Sequence, residues 1–286
     1  MIALRRLTHS TPRLLFVGLF ALSAACHKRK LPVITPMPAP PPRPPSAPPA
    51  AASRAVPELT IRDGAGLITA MHARYASSWY HSMTFVQKTT VGLASGGELQ
   101  QTWYEAAELP GRLRIDTDLA SRSGVLFARD SIFRFANGKL SQADTGTNDL
   151  LVLGFDVYMQ PAATTDSVLR HLGFDLSKVH ESTWQGKRVY VVGADAGDST
   201  TKQFWVDRDR LLFVRMLQQN PRRGHIDVRF DDYVRAGDGW IAKRVEQLVN
   251  GKRTLLEEYT DVQTDVTLSP ELFDPEQWAT VRHWRH

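Results

Sequence analysis

The sequence predicts an α+β fold, a long and strongly curved antiparallel sheet with a few helices against one side. Three observations carry that prediction. Apolar and polar residues alternate at period two through most of residues 81–264, the pattern of strands with one buried and one wet face. Asn137-Gly138, Asp238-Gly239 and Asn250-Gly251 suit two-residue hairpin loops, because positive φ costs little for Asn, Asp and Gly. A Leu- and Phe-rich stretch at residues 148–178 interrupts the alternation in mid-sheet.

The first fifth of the 286-residue chain stands outside this domain. Residues 1–57 hold twelve of the 17 prolines and eight Lys or Arg, with no Asp or Glu. Of 35 basic residues in the chain, 27 remain from Glu58 onward against 30 acidic ones, a formal charge of −3 where the whole chain carries +5. A groove for phosphate backbones needs its positive charge on the folded part, so no nucleic-acid partner is expected. The one Cys excludes an internal disulfide framework and a cysteine-rich metal or iron–sulfur site.

Arg5, Arg6 and Arg13 flank the start of the apolar run LLFVGLFALSAA at residues 14–25. That run is too short to cross a bilayer as a helix, and residues 1–25 read as a secretory signal peptide. The exit Leu22-Ser23-Ala24-Ala25 before Cys26 resembles the bacterial lipobox. The resemblance implies that Cys26 is diacylated on sulfur and becomes the new amino terminus; the alternative is an ordinary cleaved signal with an incidental Cys. Each buried methylene of an acyl chain contributes roughly 0.8 kcal/mol, so two or three chains tether a protein without making it span the membrane. With His27 next to the cysteine, the sorting pattern of enteric-type bacteria implies the outer membrane, facing the periplasm. Residues 26–57, a short basic cluster followed by the tract PVITPMPAPPPRPPSAPPAAASRAVP, read as an extended spacer. The expected folded domain is 58–286.

Asp63 is placed to cap a first helix, with Leu67, Met71, Tyr75 and Ser78 or Trp79 on one stripe. Strands are expected at 81–91, 98–109, 111–118, 124–129, 131–136, 188–194, 201–206, 211–219, 225–234, 240–249 and 253–264. Within 148–178, Leu150, Leu151, Leu153, Phe155 and Tyr158, and later Val168, Leu169 and Leu172, predict two short helices. Alternation alone also permits a lipocalin-like closed barrel or a porous sandwich.

The order of several short motifs carries a resemblance. Tyr75 in the first helix, Phe85 in the first strand, Gly111-Arg112-Leu113-Arg114-Ile115 after Glu108-Leu109-Pro110, and Gln203-Phe204-Trp205-Val206-Asp207 leading into Arg210-Leu211-Leu212 are similar to the outer-membrane lipoprotein-sorting family, which includes the LolA and LolB carriers. Phe230-Asp231-Asp232-Tyr233, Ile241-Ala242-Lys243-Arg244-Val245, Tyr259-Thr260-Asp261-Val262 and Leu272-Phe273-Asp274-Pro275 continue the likeness almost to the C-terminus. The resemblance implies an unclosed, half β-barrel whose concave face is covered by short helices, with an apolar interior that holds acyl chains.

Enzyme signatures are missing. There is no G-x-S-x-G elbow, Walker loop, H-E-x-x-H or G-x-G-x-x-G, so no enzyme is expected. His283 and His286 read as a basic tail, and Asp207 with Asp209, like Asp231 with Asp232, as polar strand ends; no metal is expected. No cofactor is expected beyond covalent acyl chains on Cys26. A curved sheet too wide to fill with its own side chains leaves a cavity, and the residues expected to line it are Phe85, Leu113, Ile115, Phe133, Phe135, Leu151, Phe155 and Tyr158. Two functions remain open. One is a membrane-anchored binder of lipid or lipoprotein acyl chains, a LolB-like receiver or carrier. The other is an envelope sensor or interaction module that binds a protein partner with the same half-barrel.

Overall fold

Asp63 opens the first helix, α1 (Gly64–Tyr75), by accepting the Gly66 N–H on its carboxylate at 2.7 Å, which satisfies one of the donors a helix N-terminus leaves free. The computed structural model describes residues 60–93 and 96–285. The signal segment, Cys26 and the Pro-rich spacer lie outside the described residues. After α1 come β1 (Ser82–Gly92), β2 (Glu98–Glu108), β3 (Arg112–Asp118), β4 (Ser123–Ala128), β5 (Ser131–Ala136) and β6 (Lys139–Thr145). An insertion follows, made of α2 (Asp149–Gly154), a 3₁₀ turn (Asp156–Tyr158) and α3 (Ala162–His171). The chain then returns through β7 (Val179–Trp184), β8 (Lys187–Val192), β9 (Gln203–Asp207), β10 (Phe213–Asn220), β11 (Gly224–Ala236), β12 (Gly239–Val249) and β13 (Lys252–Thr264).

All thirteen strands form a single antiparallel sheet in the order β6-β5-β4-β3-β2-β1-β13-β12-β11-β10-β9-β8-β7. The chain builds outward from β1 to one edge, crosses to the other edge through the helical insertion, and returns until β13 pairs with β1. Because β6 and β7 are edges and do not pair with each other, the barrel stays open, and the closed-barrel alternative is excluded. Twist accumulates over so many strands, and a sheet this wide curls.

The sheet contains the eleven expected strands and two more. Every residue of β6 is exposed, so no alternation marks it, and ladder bonds to β5 alone make it a strand. β7 is a short edge strand paired only with β8. Asn137-Gly138 and Asn250-Gly251 take positive φ as expected. The β11–β12 hairpin turns instead at Gly237-Asp238, since Ala236 pairs with Gly239. Gly239 thereby enters β12, and its bare Cα lets the rings of Trp79 and Tyr80 approach: a Cβ would lie 3.0–3.1 Å from them.

Beside a small apolar cluster of Val189, Val191 and Val214, the described residues hold two more, which include helical or C-terminal segments and lie on opposite faces. The larger fills the concave side, where Leu67 and Met71 of α1, Leu151 of α2 and Leu169 of α3 meet Phe85, Phe204, Phe213 and Phe230 from the strands. The smaller lies on the outer face of β2, β4 and β5, where Leu272, Phe273 and Trp278 of the C-terminal segment cover Ala106, Leu126 and Phe135. Trp278 stacks on Phe135 at 4.2 Å and donates its indole N–H to the Arg122 carbonyl at 2.9 Å. The buried guanidinium of Arg114 sits 3.9 Å from the same Trp ring while pairing with Asp116 at 2.8 Å. The charge is thus paired as well as desolvated, as a buried Arg requires.

Candidate functional site

Pairing register brings one row of side chains to the concave floor. Phe230 of β11 lies opposite Val245 of β12, which lies opposite Glu257 of β13. Across β1, Phe85 faces Glu105 of β2, and Glu105 faces Ile115 of β3, with Ala107 beside Leu113 one step along. These residues and Tyr259 form the wall of a cavity of ≈ 80 Å³ whose roof is Asn148, Leu150, Leu151 and Phe155. The roof belongs to the insertion that joins the two sheet edges.

The roof is short and is held from below. Asn148 caps α2 by accepting the Leu150 N–H at 2.9 Å, and the helix ends at Phe155, whose φ of −137° and ψ of −60° leave the helical region. A helix of six residues has too few internal hydrogen bonds to persist alone, so tertiary contacts fix it. Asp149 pairs with Lys202 at 2.7 Å, Asp156 accepts the Gly111 N–H at 3.0 Å, and the Tyr158 hydroxyl accepts the Phe213 N–H at 2.9 Å. Gly154 rests on the wall: a Cβ there would lie 3.2 Å from the Phe230 ring.

The floor is apolar except at one end, which carries two carboxyl groups. Burial raises the pKa of Glu105 well above the usual carboxylate range, and Glu257 and then Asp116 push it further. Burial lifts Glu257 to about 7, against the pull of hydrogen bonds from Tyr259 and Gln87; the Tyr259 hydroxyl donates to its carboxylate at 2.8 Å. A charge without water or a partner is costly, so such groups tend to hold their protons.

No family model matches the chain, and no curated protein matches it in sequence. Among solved structures, a domain named as an outer membrane lipoprotein-sorting protein domain, from Vibrio parahaemolyticus, superposes with a TM-score of 0.51 at 11% identity, covering 76% of this chain and 98% of that one. This chain has the lipoprotein-sorting fold. A LolA superfamily protein from Nitrosomonas europaea (TM-score 0.46, 12% identity, 72% and 96% covered) and a DUF1329 family protein from Desulfovibrio piger (0.49, 12%, 74% and 95%) show lesser likeness, and the fold assignment rests on the first.

Within the lipoprotein-sorting fold, Phe85, Leu113, Ile115, Leu151 and Phe155 come together around the cavity. The other three do not. Tyr158 is wholly buried beside it, stacked on Trp79 at 4.0 Å. Phe133 and Phe135 belong to the outer cluster with Trp278. The register explains the correction: Leu113 pairs with Phe127, whereas Arg114 pairs with Leu126 and Leu126 with Phe133, so Phe133 follows Arg114 to the outer face. Both faces of β4 and β5 are apolar because the C-terminal segment covers the outer one, and alternation alone cannot choose between two covered faces.

Sequence reasoning missed Glu105, Glu257, Tyr259, Phe230 and Val245. The available signal was parity: Glu105 sits between Trp103 and Ala107, and Glu257 between Leu255 and Tyr259, on positions that should be apolar if that face is buried. Asp207 holds a turn, accepting the N–H groups of Asp209 at 3.0 Å and Arg210 at 2.8 Å. His283 lies 3.3 Å from Asp116, and His286 is outside the described residues. Among the described residues no three His, Cys, Asp or Glu side chains gather as metal ligands, and no helix is long and apolar enough to cross a membrane.

Proposed function

We propose that this chain is a membrane-anchored periplasmic lipoprotein that binds acyl chains or lipoproteins in the cavity beneath α2, as a LolB-like receiver or carrier without enzymatic activity. The supporting observation is the apolar cavity itself, set on the concave face of a lipoprotein-sorting fold and roofed by a short insertion. Acylated Cys26 tethers the domain to the outer membrane, and the Pro-rich segment supplies the reach.

At ≈ 80 Å³ the cavity is smaller than the roughly 300–1,000 Å³ of pockets that enclose drug-sized ligands. The geometry therefore corresponds to a closed state. An acyl chain enters by displacing Leu151 and Phe155, and the apolar surface they give up is replaced by the chain. The two states then differ by only a modest free energy, which a carrier needs if it is to release what it binds. A fluorescent fatty-acyl probe titrated into the delipidated protein tests this reading. Saturable binding, displaced by unlabelled acyl chains and accompanied by lipid in organic extracts of the purified protein, is the expected result. Absence of both, with a specific protein captured instead, transfers the function to the sensor reading.

A further inference from the structure

The polar end of the cavity is short of donors. Glu105 is 4% exposed, lines the cavity, and has no hydrogen-bond or ion-pair partner among the described residues. Behind it, Gln87 is 1% exposed, and its side-chain carbonyl is also buried without a hydrogen-bond partner, while its amide nitrogen serves the Thr89 hydroxyl at 2.9 Å and Glu257. Gln87 is two residues from Phe85 on the same inward-facing side of β1 and lies opposite Tyr259. Glu257 stands at the same end, with hydrogen bonds from Tyr259 and Gln87. No Lys, Arg or His lines the cavity.

Buried acceptors left unmet destabilise a fold, and two carboxyl groups facing one another do so more. A packing role for this end is met more simply by apolar residues of similar volume. Two carboxyl groups on the wall of a largely apolar hollow that no cationic side chain lines match a ligand that brings N–H groups and positive charge. An arriving ammonium favours their ionised form, whereas a phosphate or a carboxylate finds no cation there. We infer that the cavity selects amphiphiles carrying a primary amine, with the alkyl chain under Leu151 and Phe155 and the ammonium between Glu105 and Glu257. The inference rests on the acyl-binding reading above and names its ligand class: chains with an amine head, in preference to fatty acids or anionic lipids. Charge-assisted N–H···O bonds are about twice as strong as neutral ones, and the low-dielectric wall strengthens them further.

The test displaces a neutral fluorescent acyl probe from the full-length protein with dodecylamine, dodecanol or laurate, each below its micelle concentration. Dodecylamine is expected to displace the probe at about tenfold lower concentration than dodecanol, with laurate weakest. Glu105→Gln, which keeps the side-chain shape, is expected to bring dodecylamine to within about twofold of dodecanol. Glu257→Gln, the second variant, is expected to act in the same direction. Equal displacement by amine and alcohol, with the probe bound, overturns the amine preference and leaves the acyl cavity standing. Failure of the probe to bind at all overturns both.

Discussion

The carboxylate of Asp156 accepts the backbone N–H of Gly111 at 3.0 Å, fastening the cavity roof to the turn between β2 and β3. Asp156 is 3% exposed, and burial lifts its pKa from 3.8 to about 7 against the pull of that single hydrogen bond. Its folded-state value lies above its unfolded one. The associated stability is therefore fully present below about pH 4 and lost as pH rises through 7. Glu257 runs the same way, from 4.5 to about 7. Asp116 and Asp227, held below the usual range by hydrogen bonds from His283 and Arg114, and from Arg215 and Arg229, against the effect of burial, contribute stability that is lost in acid. Thermal unfolding followed across pH should give a Tm that is highest near pH 5 and falls toward pH 7.5. Asp156→Asn should flatten much of that fall, whose size is on the order of 4 kcal/mol at most for this group. A Tm that climbs steadily from pH 5 to 7.5 contradicts the assignment.

Phe155 and Phe135 separate the cavity from the outer core. Phe155→Asp places a charge on the cavity roof, where an acyl chain could not desolvate it without a partner, and should cut acyl-probe affinity at least tenfold. Phe135→Asp removes the 4.2 Å stack on Trp278. It should lower stability by about 3–5 kcal/mol while sparing probe binding in the fraction that stays folded. Probe titration beside denaturant unfolding distinguishes the two. Equal loss of affinity in both variants would place the binding site elsewhere.

Gly124 is where the C-terminal segment meets the sheet. A Cβ there would lie 2.1 Å from the Ile115 carbonyl oxygen and 2.9 Å from the Trp278 ring. Gly124→Ala should therefore cost about 1–3 kcal/mol, the usual range for overpacking, and restore none of it when Trp278 is also reduced to Ala, because the backbone clash persists. Urea unfolding of the two variants and their combination is the measurement.

Cys26 is expected to be acylated in the mature protein. Intact-mass analysis of the membrane fraction should show a mature terminus at Cys26 carrying two or three chains, and Cys26→Ala should accumulate at the mass of the unprocessed precursor. A mature terminus without acyl mass would falsify the anchor.

Much of the fold is legible in the sequence because its information is local. The Asn-Gly turns and the Asp63 cap each depend on residues a few positions apart, and the structure repeats them; the alternation in β3 and β11 marks strands, but Arg114, Asp116 and Asp227 on the face expected to be wet are buried. β6 escaped because a fully exposed strand has no hydrophobic pattern; only its ladder to β5 makes it a strand. The cavity was half legible. Phe85, Leu113 and Ile115 announce an inward face by parity, and Leu151 and Phe155 announce a helix with an apolar side.

By itself, the sequence determined the basic, Pro-rich composition of residues 1–57, the antiparallel meander and the apolar insertion, since composition, period and turn chemistry are properties of short windows. Tertiary structure alone decided that β6 and β7 remain separate edges, that Phe133 and Phe135 face the C-terminal segment, and that Glu105 and Glu257 share one end of the cavity. Those outcomes depend on register across strands distant in the chain. A one-residue change of register would exchange the faces and leave every local pattern as it is.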